Sequence, residues 1–206
     1  MNSASEEKKL SFLALGDSYT IGEAVPENEC WPMQLVEMLN NVGKAFSKPH
    51  IIATTGWTSD ELIAAIKIEN PQGPFNLVSL LIGVNNQYRG YSKEVYAKEF
   101  QDLLNQAMDF AGGIAIHVVV VSIPDWGATP FAEDRNRDEI ALEIDQYNSI
   151  NREISLQKGV HYIDITPDSR LALSDNTLVT SDKLHPSGTE YQKWANAIYR
   201  LIAPIY

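Results

Sequence analysis

The sequence predicts an α/β fold in which helices cover both faces of a five-stranded parallel sheet, a three-layer α/β/α arrangement. Two observations carry this. Five short apolar runs alternate along the 206 residues with amphipathic stretches of helical period, and such alternation builds parallel strands joined by right-handed crossovers. The runs are also nearly unbroken in apolar residues, as strands covered on both faces require. Of the two doubly wound layouts, Rossmann-like and flavodoxin-like, five strands favour the second. At 206 residues and 44% hydrophobic content, the chain fits one domain with one core over residues 10–206, behind a flexible polar leader at residues 1–9.

The first strand is the run Leu10 to Leu15, which stops abruptly at Gly16-Asp17-Ser18. Residues 19–30, rich in Gly, Pro, Asn and Glu, read as a loop. A helix opens at Trp31-Pro32, where proline suits a first turn, and Trp31, Leu35, Met38, Leu39 and Val42 form its apolar stripe up to Gly43. The second strand is His50 to Thr54, and Thr55-Gly56-Trp57 leads to a helix with Thr58 and Glu61 as a capping box and Leu62, Ala65 and Ile66 inward.

Phe75 to Ile82 reads as a third strand, with Gly83-Val84-Asn85-Asn86 at its carboxyl end. A long helix from Ser92 to Ala111 carries Tyr96, Phe100, Leu103, Leu104, Ala107 and Phe110 on one side, and Gly112-Gly113 stops it. Ile114 to Ile123 reads as the fourth strand, with His117 inside it as a core histidine. Residues 124–135 read as a long surface loop, followed by a helix along Ile140, Ile144, Tyr147, Ile150 and Ile154 whose charges form a solvated face. Val160 to Ile165 is the fifth strand. The last helix opens on a second capping box, Ser187 and Glu190, and buries Tyr191, Trp194, Ala195, Ile198 and Leu201.

Charge and composition exclude several function classes. A formal net charge of -11 repels phosphate backbones and anionic membrane surfaces, so nucleic acid is not an expected partner. No run approaches the roughly 20 apolar residues of a membrane helix, so no stable membrane insertion is expected. The single cysteine, Cys30, permits neither an intramolecular disulfide nor a thiolate metal cluster. The leader lacks the apolar core of a signal peptide, and it equally matches what remains after a secretion signal is removed.

Four strand ends point special residues to one rim of the sheet: Ser18, Gly56, Asn85, and the pair Asp182 and His185. Each has an ordinary reading as a turn or loop residue. Together they match the parts needed for acyl transfer. A serine hydroxyl becomes a nucleophile when a neutral histidine removes its proton, and a carboxylate fixes that histidine's tautomer. Asp182, three residues before His185, is within one turn of its Nδ1 side, which leaves Nε2 for Ser18. Backbone amides of Ser18 and Gly56 and the amide of Asn85 are candidate donors to a developing oxyanion.

These residues resemble the SGNH hydrolases, or GDSL esterases/lipases, in order along nearly the whole chain: Gly16-Asp17-Ser18, Gly56, Gly83-Val84-Asn85, and Asp182-Lys183-Leu184-His185. The resemblance implies Ser18 as nucleophile, His185 as general base and then acid, Asp182 as its orienting acid, and Ser18, Gly56 and Asn85 as the oxyanion hole. It also implies a flavodoxin-like three-layer fold and no metal or cofactor. One departure stands out, because the third block commonly reads Gly-x-Asn-Asp and here Asn86 replaces the aspartate. Asp17 reads as structural, holding the serine turn by hydrogen bonds.

The expected activity is ester hydrolysis through an acyl-serine intermediate; a catalytically silent ligand-binding module on the same scaffold is the competing class. Trp57, Tyr88, Trp126 and Phe131 are expected to ring the substrate pocket, and aromatic walls suit an acyl chain or a sugar face alike. A lipid, lysophospholipid or short acyl ester and an acetylated carbohydrate are thus both candidate substrates. Arg89 reads either as a receptor for a substrate carboxylate or phosphate or as a solvated side chain.

Overall fold

The computed structural model describes residues 9–206, so all but Lys9 of the polar leader lies outside the described residues. Five parallel strands, β1 (Phe12–Gly16), β2 (His50–Ala53), β3 (Leu77–Leu81), β4 (Val118–Val121) and β5 (His161–Ile163), form one sheet in the order β2-β1-β3-β4-β5. This is the flavodoxin-like order. It puts β1 beside the point where the strand order reverses, the place where open α/β sheets form their ligand crevice.

Helices α1 (Ser18–Ile21), α2 (Trp31–Asn41), α3 (Ser59–Glu69), α4 (Val84–Tyr88), α5 (Lys93–Phe110), α6 (Arg137–Lys158), α7 (Thr166–Ser169) and α8 (Gly188–Ile202) complete the architecture. α2 packs on α8 as one outer layer, and α3, α5 and α6 pack side by side as the other. The central strands of the sheet are covered on both faces. All residues of β1, β3 and β4 are buried, and each valine of β4 contributes roughly 1.5–3 kcal/mol of burial, which explains why an unbroken apolar run is stable only here.

The predicted strands hold, shortened at their ends, and the Thr58–Glu61 capping box is formed. Five readings change. His117 lies in a 3-10 turn, Ala115–His117, ahead of β4 and half-buried against Tyr206, since the strand does not start until Val118. Residues 19–30 are not all loop, because α1 begins at Ser18 itself. Val42, at 54% exposure, ends its stripe outside the core. At α8 only half the box forms: Ser187 accepts from the Glu190 amide, but the Glu190 carboxylate, itself buried, turns to Trp194 Nε1 at 3.0 Å and to Lys193.

The fifth concerns residues 124–135. Residues 124–129 are buried, whereas Phe131 and residues 133–135 are exposed as the sequence predicts, and the segment contains two 3-10 turns, Trp126–Ala128 and Pro130–Ala132. Asp125 holds this segment in. One of its carboxylate oxygens accepts from the Gly127 amide and the other from Arg170 Nε at 2.8 Å, while Arg137 donates to the Gly127 carbonyl. Buried backbone needs partners, and here Arg137 supplies one to the Gly127 carbonyl and Ser169 Oγ accepts from the Asp125 amide, while Arg170 holds the Asp125 carboxylate.

Candidate active site

Ser18 is the first residue of α1, directly past the end of β1. Asp17 caps that helix by accepting from the Tyr19 amide at 3.0 Å. The turn is tight enough to require glycine before it. A Cβ on Gly16 would lie 2.1 Å from Thr20 Oγ1 and 2.5 Å from the Leu81 carbonyl oxygen. Asp17 thus does the structural work expected of it, but only with Oδ1. Its Oδ2 is buried without a hydrogen-bond partner, and burial pushes the carboxyl up to about 7.

The pair Asp182 and His185 arrives from the other end of the chain. After β5 at the edge of the sheet, the chain passes through α7 and the 170–186 segment, and α8 then packs back on α2, next to β1's layer. That return carries His185 to Ser18. The Tyr19 ring is wedged between the two elements, 5.6 Å from the His185 ring and 6.3 Å from Trp194.

Within the 180–185 turn, Lys183 adopts φ 65 and donates to the Thr180 carbonyl. Asp182 Oδ1 accepts from the Leu184 and His185 amides, at 2.9 and 3.0 Å, and from Thr180 Oγ1. With that oxygen fixed, Oδ2 meets His185 Nδ1 at 2.6 Å. Burial alone raises the Asp182 pKa, but the hydrogen bonds from the His185 ring, the two amides and Thr180 outweigh it and hold the carboxyl at about 2. It is therefore an anion that can orient an imidazole and stabilise its protonated form.

A cavity of about 200 Å³ brings Ser18 and His185 together with Gly56 and Asn85. No hydrogen bond joins Ser18 to His185 in this structure; contacts of this kind commonly tighten when substrate binds. Among the described residues, no group accepts a hydrogen bond from the amides of Ser18 and Gly56, which leaves both as candidate donors. Asn85 Nδ2 donates one proton to the Trp57 carbonyl at 2.9 Å, which orients the amide and leaves its second proton available.

Asn86, the departure from the commoner aspartate, has a definite place. It is fully buried at the start of α4 and exchanges two hydrogen bonds with Ser59 at the start of α3: the Ser59 amide donates to Oδ1 at 3.0 Å, and Nδ2 donates to Ser59 Oγ at 2.7 Å. The Ser59 hydroxyl, accepting from the amide, passes its own proton to Glu99 at 2.5 Å. An aspartate would need that proton for itself. The asparagine thus fits a hydroxyl already turned toward Glu99.

The walls of the cavity only partly match the expectation. Tyr88, Trp126 and Phe131 line it, with the Trp126 ring 5.2 Å from Tyr88 and 6.0 Å from Phe131 and its Nε1 donating to Gln87. Trp57 does not line it. Its ring packs on the core, and it serves the site through its backbone carbonyl. Tyr19, Thr55, Val84 and Leu184 also line the cavity and were not foreseen, although each adjoins or lies next to a motif residue. Among the described residues, no group of three or more His, Cys, Asp and Glu side chains is disposed to hold a metal ion, and no helix is long and apolar enough to cross a membrane.

Comparisons with known proteins show the fold and the family. Solved structures share the fold: TesA, 14% identical with a TM-score of 0.73, covering 95% of this chain and 99% of that one; Axe2, an acetylxylan esterase from Geobacillus stearothermophilus, 18% identical with a TM-score of 0.72, covering 94% of each; and the psychrotrophic esterase EstA from Pseudoalteromonas sp., 16% identical with a TM-score of 0.70, covering 95% and 97%. At such identities the likeness is one of fold. Comparison with curated protein sequences finds no match. The model of the GDSL-like lipase/acylhydrolase family matches residues 14–193, and with that span matched the chain belongs to this family and is a carboxylic ester hydrolase.

Proposed function

We propose that the protein is a serine esterase for short-chain acyl esters, with Ser18 as nucleophile. The observation that carries this reading is the 2.6 Å contact of Asp182 with His185 Nδ1 at the edge of a cavity that His185 shares with Ser18. With Nδ1 committed to the carboxylate, Nε2 is the ring nitrogen left to take the Ser18 proton as Oγ attacks the ester carbonyl. The tetrahedral oxyanion is held by the amides of Ser18 and Gly56 and by Asn85 Nδ2. Protonated His185 returns the proton to the departing alkoxide, leaving an acyl-serine. Water then attacks that ester, again giving its proton to His185, and the carboxylic acid leaves as Ser18 regains its hydrogen.

The cavity's size and walls support the substrate class. About 200 Å³ falls below the roughly 300–1,000 Å³ of sites that enclose drug-sized ligands, which favours a short acyl group over the tail of a lysophospholipid. Tyr88 and Phe131, 50% and 43% exposed at the rim, are placed to stack on the alcohol part, and a sugar face suits such rings. The acetylxylan esterase among the structural neighbours makes an acetylated carbohydrate the second reading.

Wild type and Ser18→Ala, compared on nitrophenyl esters of increasing chain length and on acetylated xylooligosaccharides, test both parts. The expected result is turnover falling steeply with acyl length and no turnover in the variant, with its melting curve unchanged. Undiminished activity in Ser18→Ala removes the mechanism; a preference for long chains removes the substrate class.

A further inference from the structure

Arg89 follows α4, next to the cavity-lining Tyr88, and its exposed guanidinium is bonded to acceptors on the β2–α3 connection. Nη2 donates to the Gly56 carbonyl at 2.6 Å, and Nη1 lies 3.4 Å from Glu61 Oε2. That geometry leaves the fork engaged by the protein's own acceptors rather than facing a substrate anion.

Gly56 is the residue in need of such an anchor. It sits at φ 87 in the link between β2 and α3, and among the described residues, its chain neighbours aside, the one atom within 4 Å of the position of its missing Cβ is Arg89 Nη2, at 3.7 Å. Packing therefore does not fix this residue, and glycine gives the backbone its widest torsional freedom. The Gly56 amide and carbonyl flank one Cα, so a donor holding the carbonyl restricts the direction of the amide.

The bracket extends on both sides. Glu61 Oε2, which faces Arg89, also accepts from the Thr58 amide at 2.9 Å. That amide bond is the main reason the Glu61 carboxyl lies below its usual range, with Arg89 adding to the effect. Asn85 holds the Trp57 carbonyl from the same helix. Residues 56–58 are thus gripped by α4 and the first turn of α3.

We propose that Arg89 is a positioning residue for ester hydrolysis, acting through the Gly56 carbonyl to aim the Gly56 amide at the developing oxyanion. The proposal rests on the serine-esterase reading of the site. Arginine suits the task because its planar fork presents donors on two nitrogens in fixed geometry, one to the carbonyl and one to the carboxylate, whereas an ammonium's donors share one freely rotating nitrogen. The side chain is 41% exposed, so its charge is screened and its contribution is chiefly geometric.

The test compares wild type, Arg89→Ala and Arg89→Lys on nitrophenyl acetate and on a nitrophenyl ester bearing a free carboxylate. It also measures the rate at which a fluorophosphonate labels Ser18, where Oγ displaces fluoride at phosphorus, and repeats the Arg89→Ala assays with millimolar guanidinium chloride. Expected is a fall in kcat of about ten- to a hundredfold on both esters, with KM for the neutral ester within about twofold. Labelling slows by the same factor, Arg89→Lys falls in between, and guanidinium restores part of the rate.

Unchanged kcat on the neutral ester overturns the proposal, as does a loss confined to KM for the anionic ester, which makes Arg89 a substrate receptor. A wild-type protein that fails to take up the probe overturns the serine-esterase reading instead.

Discussion

Replacing Asp17 by asparagine isolates the energetic effect of one buried carboxyl. Asp17 is fully buried, accepts one hydrogen bond through Oδ1 and has an unpartnered Oδ2. Its folded pKa, raised by burial from 3.8 to about 7, is above the unfolded value, so the sign of the effect is set. Below about pH 4 both states hold the proton and the group adds nothing. Between about pH 4 and 7 the unfolded chain ionises while the folded one does not, and stability falls as pH rises; above about 7 the loss is complete. A gap of roughly three pH units at about 1.4 kcal/mol each gives about 4 kcal/mol as an upper bound.

Asparagine keeps the Oδ1 acceptor for the Tyr19 amide and removes the titration. Its second amide position meets the same unpartnered environment as Oδ2, so the absolute stability of the variant is not the readout. The readout is the difference between the two proteins. Urea unfolding followed by tryptophan fluorescence at several pH values should show Asp17→Asn gaining on wild type by up to about 4 kcal/mol from about pH 4 to about pH 8. All other titrating groups are common to both proteins and cancel. A stability difference that stays constant across this range refutes the reasoning, because it means the carboxylate is ionised in the folded state and has found a partner.

Two further outcomes follow from the packing around the site. Asn86→Asp puts two carboxylates on the single Ser59 proton and should lower stability by about 1–3 kcal/mol at neutral pH, with Glu99→Gln in the same chain restoring most of it; additive effects in the double-mutant cycle would refute the relay. Trp126→Ala should lower stability by about 3–5 kcal/mol, whereas Phe131→Ala, half exposed, should stay within about 0.5 kcal/mol and shift only acyl or alcohol preference; thermal melts and the ester panel check both.

The strands and long helices were legible because local physics decides them. Unbroken valine and leucine runs have few stable environments outside a covered sheet, and the stripe of α5 along Tyr96, Phe100 and Leu103 repeats over several turns. The candidate triad and oxyanion residues were legible as chemical types at strand ends. What escaped depends on distant partners. The 124–135 segment looks like a polar loop until Arg170 and Arg137 reach Asp125 and Gly127.

The short helices α1 and α4 are too brief for a periodicity to register, so the sequence shows Ser18 and Asn85 only as residues at strand ends, whereas each lies in the first turn of a helix. Trp57 illustrates a third limit: composition identifies an aromatic ring near a motif, but not which way it faces. The placement of Arg89 was hidden for a similar reason, because its acceptors lie on the separate β2–α3 connection.

The return of α8 onto α2 links chemistry to the timetable of synthesis. The hydroxyl at residue 18 is made early, just after a strand that takes a central place in the sheet, whereas the imidazole at residue 185 is made only after all five strands. A nascent chain can assemble much of its sheet and still lack the imidazole proposed as its base. On the proposed mechanism, hydrolysis waits until the 180–185 turn has docked beside the sheet, so activity reports that this late-made segment has folded into place.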